Sequence, residues 1–191
     1  MQPPRQTGGK FAHANLMTGW WVGCMRGVSL TKMPTIRLAT NIGAPPPRCF
    51  DLARSVDAHV ESAAGTCERA IAGVTNGLLG LGDEVTWRAR HLGLNQVLAS
   101  RITAFDRPHR FQDSMVRGAF AHLIHDHLFV ATPSGTQMVD VVDYAAPWGP
   151  LGRLAEALFL TAYLARFLRQ RAQVLKQLAE SDEWRRFIKD G

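Results

Sequence analysis

The spacing of hydrophobic and polar positions changes twice along the chain. Thr35–Ile42 alternates residue by residue, as a half-buried strand does. Ala44-Pro45-Pro46-Pro47 ends that strand, and proline is tolerated in the first turn of a helix, where its missing N–H has no partner to lose. Phe50, Ala53 and Val56 then recur at three-residue spacing, and a second short helical piece over Val56–Ala64 ends at Gly65, so the two pieces read as one bent unit. From Cys67 to Tyr144 the period is two. The blocks are Glu68–Thr75, Asp83–His91, Val97–Phe105, Phe111–Val116, Phe120–Ala131 and Thr136–Tyr144, separated by glycine- and proline-marked turns. Such close spacing predicts a meander of hairpins and hence an antiparallel sheet.

After Pro147-Trp148-Gly149-Pro150 the helical period returns, with Leu151, Leu154, Leu158, Ala162, Ala165, Leu168, Ala172, Leu175 and Ala179 on one stripe. Between Ala157 and Ala165 there is no charge at all. That half either plugs a hollow in the sheet or is simply well buried. The second half carries Arg166, Arg169, Arg171, Lys176 and Glu180 and is amphipathic.

The sequence predicts an α+β fold of the helix-grip type: a curved antiparallel sheet of about seven strands around a long C-terminal helix, with two short helices after the first strand. Residues 1–32 lack sustained periodicity and read as a disordered extension, with Met33 the expected translation start. The domain is expected over 33–182 and a short polar tail over 183–191. No apolar run approaches the roughly 20 residues needed to span a bilayer, so no stable membrane insertion is expected. Trp21-Val22-Gly23-Cys24 is a poor lipoprotein site, because the run before it is polar. Three widely separated cysteines, Cys24, Cys49 and Cys67, suit a reducing cytoplasm. The net charge of +6 raises nucleic acid as a partner, but Arg166, Arg169, Arg171, Arg185 and Arg186 lie on the final helix or just beyond it and read as a solvated face. No nucleic-acid partner is expected.

Candidate chemistry concentrates in the last hairpin. Counting outward from the turn at Thr132–Gly135 sets His127 opposite Asp140, His125 opposite Val142, Phe129 opposite Met138 and Leu123 opposite Tyr144. His125, His127, Asp140 and Tyr144 then share a sheet face with Phe129 and Met138. An imidazole facing a carboxylate is the makings of a general base, with His127 and Asp140 as catalytic candidates, or else a satisfied pair that only sets register. His125-x-His127 also has the spacing to ligate a metal from one strand face, but that needs a third ligand, for which His91 and His122 are candidates by composition alone, and neither metal nor cofactor is expected. On another strand, Val85, Trp87, Ala89 and His91 face the helix, so Trp87 fills core or lines a pocket. Gly73–Gly82 is rich in glycine but lacks the lysine of a phosphate loop, and its three leucines read as an apolar flap or a plain hairpin loop.

Several local segments resemble the START-like (SRPBCC) superfamily, which includes polyketide cyclase/dehydrase-like and lipid-transfer proteins. They are Ile42-x-Ala44-Pro45 followed by Cys49-Phe50-Asp51-Leu52, Ile102-Thr103-Ala104-Phe105-Asp106-Arg107-Pro108 with Phe111, His125-Asp126-His127-Leu128-Phe129, and Asp140-x-Val142-x-Tyr144-x-x-Pro147-x-Gly149. Cys49 and Arg107 depart from the family's pattern. The resemblance covers about Pro34 to Ser181. It implies a bacterial protein that binds or transports a hydrophobic or aromatic small molecule in a cavity between sheet and C-terminal helix. The ligand-contact candidates under that reading are Trp87, Arg101, His125, His127, Phe129, Met138, Asp140, Tyr144, Leu158 and Ala162. The alternatives are a polyketide cyclase/dehydratase-like enzyme using His127 and Asp140, and an interaction module with no cavity.

Overall fold

The structure is a computed structural model describing Met33–Ile188. The extension expected over 1–32 lies outside the described residues, as do the last three residues of the tail. Thr35–Ile42 forms β1. Two short helices follow, α1 (Pro46–Ala53) and α2 (Val56–Ser62). Pro46 opens α1 in its first turn, and the Ser55 hydroxyl caps α2 by accepting from Ala58 N. A single 3-10 turn, Ala64–Thr66, contains Gly65, where the sequence places the end of the second helix.

Six further strands complete the sheet: β2 (Arg69–Gly73), β3 (Glu84–His91), β4 (Leu94–Asp106), β5 (Arg110–Arg117), β6 (His122–Thr132) and β7 (Gly135–Ala145). All neighbours are antiparallel, in the order β1-β7-β6-β5-β4-β3-β2. Register shifts in β2 and at two places in β4 mark bulges, which bend strands and increase twist. The last hairpin has the register counted from its turn: His127 faces Asp140, His125 faces Val142, Phe129 faces Met138 and Leu123 faces Tyr144. At its tip Gly135, with φ of 137°, passes so near β1 that a Cβ would lie 2.2 Å from the Ile42 carbonyl oxygen.

The C-terminal helix runs as α3 (Pro150–Ala155), a wide turn over Glu156–Leu160, and α4 (Thr161–Glu180). The wide turn is an i→i+5 turn. Thr161 donates both its backbone N–H and its hydroxyl to the Glu156 carbonyl, and the hydroxyl also pairs with Tyr144 OH at 2.7 Å. Such a turn holds one extra residue, so the stripe expected from an unbroken 3.6 period is out of phase before it. Ala165, Leu168, Ala172 and Ala179 are buried as that stripe requires. Leu151, Leu154 and Leu158 are not; Leu158 is 71% exposed, and the buried residues on that side are Gly152 and Glu156.

Two hydrophobic clusters form the core. One gathers Phe50, Ile102, Phe111, Phe129, Met138 and Ala172 around α1; the other joins Ile36, Val142 and Tyr144 to Ala165 and Leu168. The segment expected as a polar tail starts differently. A 3-10 turn over Asp182–Arg186 folds Trp184 and Ile188 into the first cluster. Among the described residues, no helix is long and apolar enough to cross a membrane.

Candidate functional site

Between the sheet and α4 lies a cavity of about 160 Å³. Its walls are mostly apolar, drawn from Trp87, Leu98, Ile102 and Val142 on the sheet and from Leu164 and Phe167 on the helix. A more open cleft of about 760 Å³, between the Glu61–Thr66 stretch and α4, shares Tyr163 and Phe167 with it as a common wall. His91 Nδ1 lies 2.7 Å from Tyr163 OH and holds that wall to β3.

The first polar group on the cavity wall comes from three adjacent strands. Period-two alternation turns Asp113 of β5 inward beside Phe111, His125 and His127 of β6 inward beside Phe129, and Asp140 of β7 inward beside Met138. Asp113, His125 and His127 line the cavity, while Asp140 stands behind them in a smaller adjoining pocket that also touches Met138. One oxygen, Asp140 Oδ1, is 3.0 Å from His125 Nε2 and 3.0 Å from His127 Nδ1. The His125 contact is a hydrogen bond; the His127 Nδ1–H direction misses the oxygen, so that contact is one of charge. On the cavity side, Asp113 Oδ2 is 3.3 Å from His127 Nε2 and 3.9 Å from His125 Nδ1.

The two imidazoles are pushed in opposite directions. Burial by itself depresses His127, but the Asp113 hydrogen bond and the charges of both carboxylates outweigh it and carry its pKa up to about 9. Burial and the neighbouring His127 charge together lower His125, and the carboxylates do not restore it. His127 is therefore the more readily protonated of the two rings. Both carboxylates lie below their ordinary range, because the histidines outweigh the cost of burying them.

A second polar group sits across the cavity. Arg171 Nη2 donates to His59 Nδ1 at 2.8 Å, which leaves the proton on His59 Nε2, 3.2 Å from Glu68 Oε1. His59 stacks on Trp87 with ring centroids 3.9 Å apart. Burial and the Arg171 charge hold His59 below its ordinary pKa. Glu68 Oε2 is buried and has no hydrogen-bond partner among the described residues. Arg171 thus turns into the cavity, whereas a solvated helix face was expected there; Arg166 and Arg169 do face solvent.

Of the residues expected to contact a ligand, Trp87, His125 and His127 line the main cavity, and Met138 and Asp140 line the pocket behind it. Phe129 and Tyr144 are buried in the two core clusters. Arg101 lies exposed on the outer sheet face and pairs with Glu84, because the odd positions of β4 around it point outward. Leu158 is exposed because it lies within the wide turn, where the phase of the helix changes. Ala162 is exposed because its neighbour Thr161 takes the inward position beside Tyr144, which leaves Ala162 off the side of α4 that buries Ala165 and Leu168. His91 reaches the cavity wall but not the histidine pair, and His122 is near neither. Asp113, His59, Glu68 and Arg171 carry much of the polarity without having been singled out. Asp113 alone left a trace, as a carboxylate two residues from Phe111 on an inward-facing row. The glycine-rich segment over 73–82 is no free flap: Leu79 N donates to Arg54 O and Val56 N to Gly77 O, which buries Leu79 on the cavity wall.

No protein-family model and no curated protein matches the chain. Solved structures do. The Zhui aromatase/cyclase from Streptomyces sp. R1128 superposes with a TM-score of 0.64 at 15% identity, covering 84% of this chain and 99% of that one. The fold is START-like. A Thermus thermophilus protein superposes on the same START-like frame with a TM-score of 0.63 at 18% identity, over 75% of this chain and 95% of its own. So does the ginseng (Panax ginseng) major latex-like protein 151, with a TM-score of 0.58 at 13% identity, over 78% and 99%. At these identities the likeness is one of START-like architecture: curved sheet, paired short helices and final helix.

Proposed function

We propose that this protein binds a compact hydrophobic or aromatic molecule between the sheet and α4, with one hydrogen-bonding group on the ligand. The observation that carries the reading is a mostly apolar cavity whose wall also holds the polar side chains of His59, Glu68, Asp113 and Arg171. At about 160 Å³ the cavity matches a single ring or a short chain, close to engineered cavities of ~150 Å³ that hold benzene. Burying ~150 Å² of apolar ligand surface contributes about 4 kcal/mol before ordering costs, which alone gives only millimolar affinity. A polar group on the ligand that pairs with one of those polar side chains adds selectivity, since burying such a group unpaired is costly. Trp87 and its stacked partner His59 offer a flat face to a ring.

Native mass spectrometry of gently purified protein and Trp87 fluorescence titration with phenol- and naphthol-type probes test the reading. One bound molecule per chain is expected, with Leu98→Trp, which fills the cavity, abolishing uptake while the fold persists. No bound mass and no probe uptake by the intact protein sinks it.

A second reading is a cyclase/dehydratase-like enzyme. The two imidazoles beside Asp113 on one cavity wall favour it, since an imidazole serves as either proton donor or proton acceptor to a molecule held there. Turnover of a polyketide-like substrate that disappears in His125→Gln while probe binding survives supports that reading. Binding without turnover by the intact protein excludes it.

A further inference from the structure

We infer that Asp113, His125 and His127 form a binding site for one divalent transition-metal ion on the cavity wall. One ligand atom from each of the three residues can be chosen so that all lie within 4.8 Å of one another. Asp113 Oδ2 is 3.3 Å from His127 Nε2 and 3.9 Å from His125 Nδ1. Ligands placed about 2.0–2.2 Å from a tetrahedral ion stand roughly 3.3–3.6 Å apart, so small side-chain rotations close the set on a common centre.

The donor types name the class of ion. Two imidazoles and one carboxylate suit Zn²⁺ and its first-row neighbours, whereas Mg²⁺ and Ca²⁺ take sets of oxygen ligands. All three residues stand on strands, which fixes them more firmly than loops would.

A second observation points the same way. Asp140 stands behind both rings, its Oδ1 3.0 Å from the nitrogen of each that does not face Asp113. A carboxylate on the far nitrogen is what orients histidine ligands in metal sites, turning the opposite lone pair toward the ion. Here one carboxylate serves both rings. The three ligands leave the side toward Leu98, Ile102 and Val142 free, so a bound ion keeps at least one position open to whatever the cavity holds. The site requires no ligand in the cavity and stands apart from the binding reading above.

The test uses the full chain, freed of metal by chelation and lacking any affinity tag. Calorimetric titration with Zn²⁺ and visible absorption with Co²⁺ are expected to show one ion per chain at micromolar affinity or tighter. Asp113→Asn is expected to weaken binding ~100-fold and Asp140→Asn at least ~10-fold. His122→Gln leaves it unchanged. X-ray absorption of the Zn²⁺-loaded wild type, which depends on no variant folding, is expected to show two imidazoles around the ion. Failure of the wild type to take up one ion per chain overturns the proposal. So does an affinity left unchanged in Asp113→Asn, or a shell with fewer than two imidazoles. None of these outcomes bears on probe uptake by the metal-free protein, so the ligand reading stands or falls separately.

Discussion

Arg107, in the β4–β5 turn, reaches back to Asp51 of α1, with Nη2 2.6 Å from Oδ2 and Nε 3.2 Å from both carboxylate oxygens. Arg54 Nε meets the same carboxylate at 2.7 Å. Burial pushes Asp51 up, but the two guanidinium groups more than offset it and leave the carboxyl below its usual range. The Arg107 side chain is half-exposed, so solvent screens its share: Arg107→Ala is expected to cost about 1 kcal/mol. Asp51→Ala also strips Arg54 of its carboxylate and is expected to cost about 3 kcal/mol. Urea unfolding of both variants at pH 7 measures the two numbers.

Asp113 and Asp140 together favour the charged form of His127, and removing Asp140 leaves that charge short of one partner. In Asp140→Asn the His127 pKa is expected to fall from about 9 toward the ordinary imidazole range, followed by NMR titration of the ring. Because His127 is raised in the folded state, its contribution to stability is full below about pH 6.5 and is lost as pH rises through about 9. For metal-free protein, unfolding curves across that window are expected to show a smaller loss in the variant, where Asp113 alone still raises His127, than in the wild type. At pH 7 the variant is expected to be about 3 kcal/mol less stable.

His59 has the opposite sign. Its folded pKa is lowered by burial and by Arg171, so its contribution is present above the unfolded value of about 6.5 and is lost as pH falls below it. His59→Gln is expected to flatten the acid side of the stability curve between about pH 6.5 and 5, measured as the difference in urea midpoint from wild type. A curve as steep as the wild type's would refute the assignment.

The phase change in the C-terminal helix makes two leucines on one sequence stripe unequal. Leu158 is 71% exposed and Leu168 only 9%. Leu158→Asp is expected to change stability by no more than ~0.5 kcal/mol. Leu168→Asp, which buries a carboxylate without a partner and removes an apolar side chain, is expected to cost about 4 kcal/mol. Thermal and urea unfolding compare them directly.

The sequence by itself determined the order of elements, the antiparallel meander and the register of the last hairpin. These follow from short-range rules: period two against 3.6, proline and glycine at the breaks, and a turn that counts residues outward in fixed pairs. His127 opposite Asp140 was legible for that reason. Tertiary structure alone decided what Asp113 and Arg171 do, since a carboxylate on a strand or an arginine on an amphipathic helix carries no mark of the distant groups it will meet. It also decided which side of the final helix is inside before Thr161. Tyr144 OH and the Thr161 hydroxyl meet at the wide turn, and that contact between β7 and the helix accompanies a shift in the phase of every residue before it. Sequence periodicity assumes an unbroken helix, so it carries Leu158 into the cavity; the fold leaves that side chain in solvent, and puts Thr161 rather than Ala162 against the sheet.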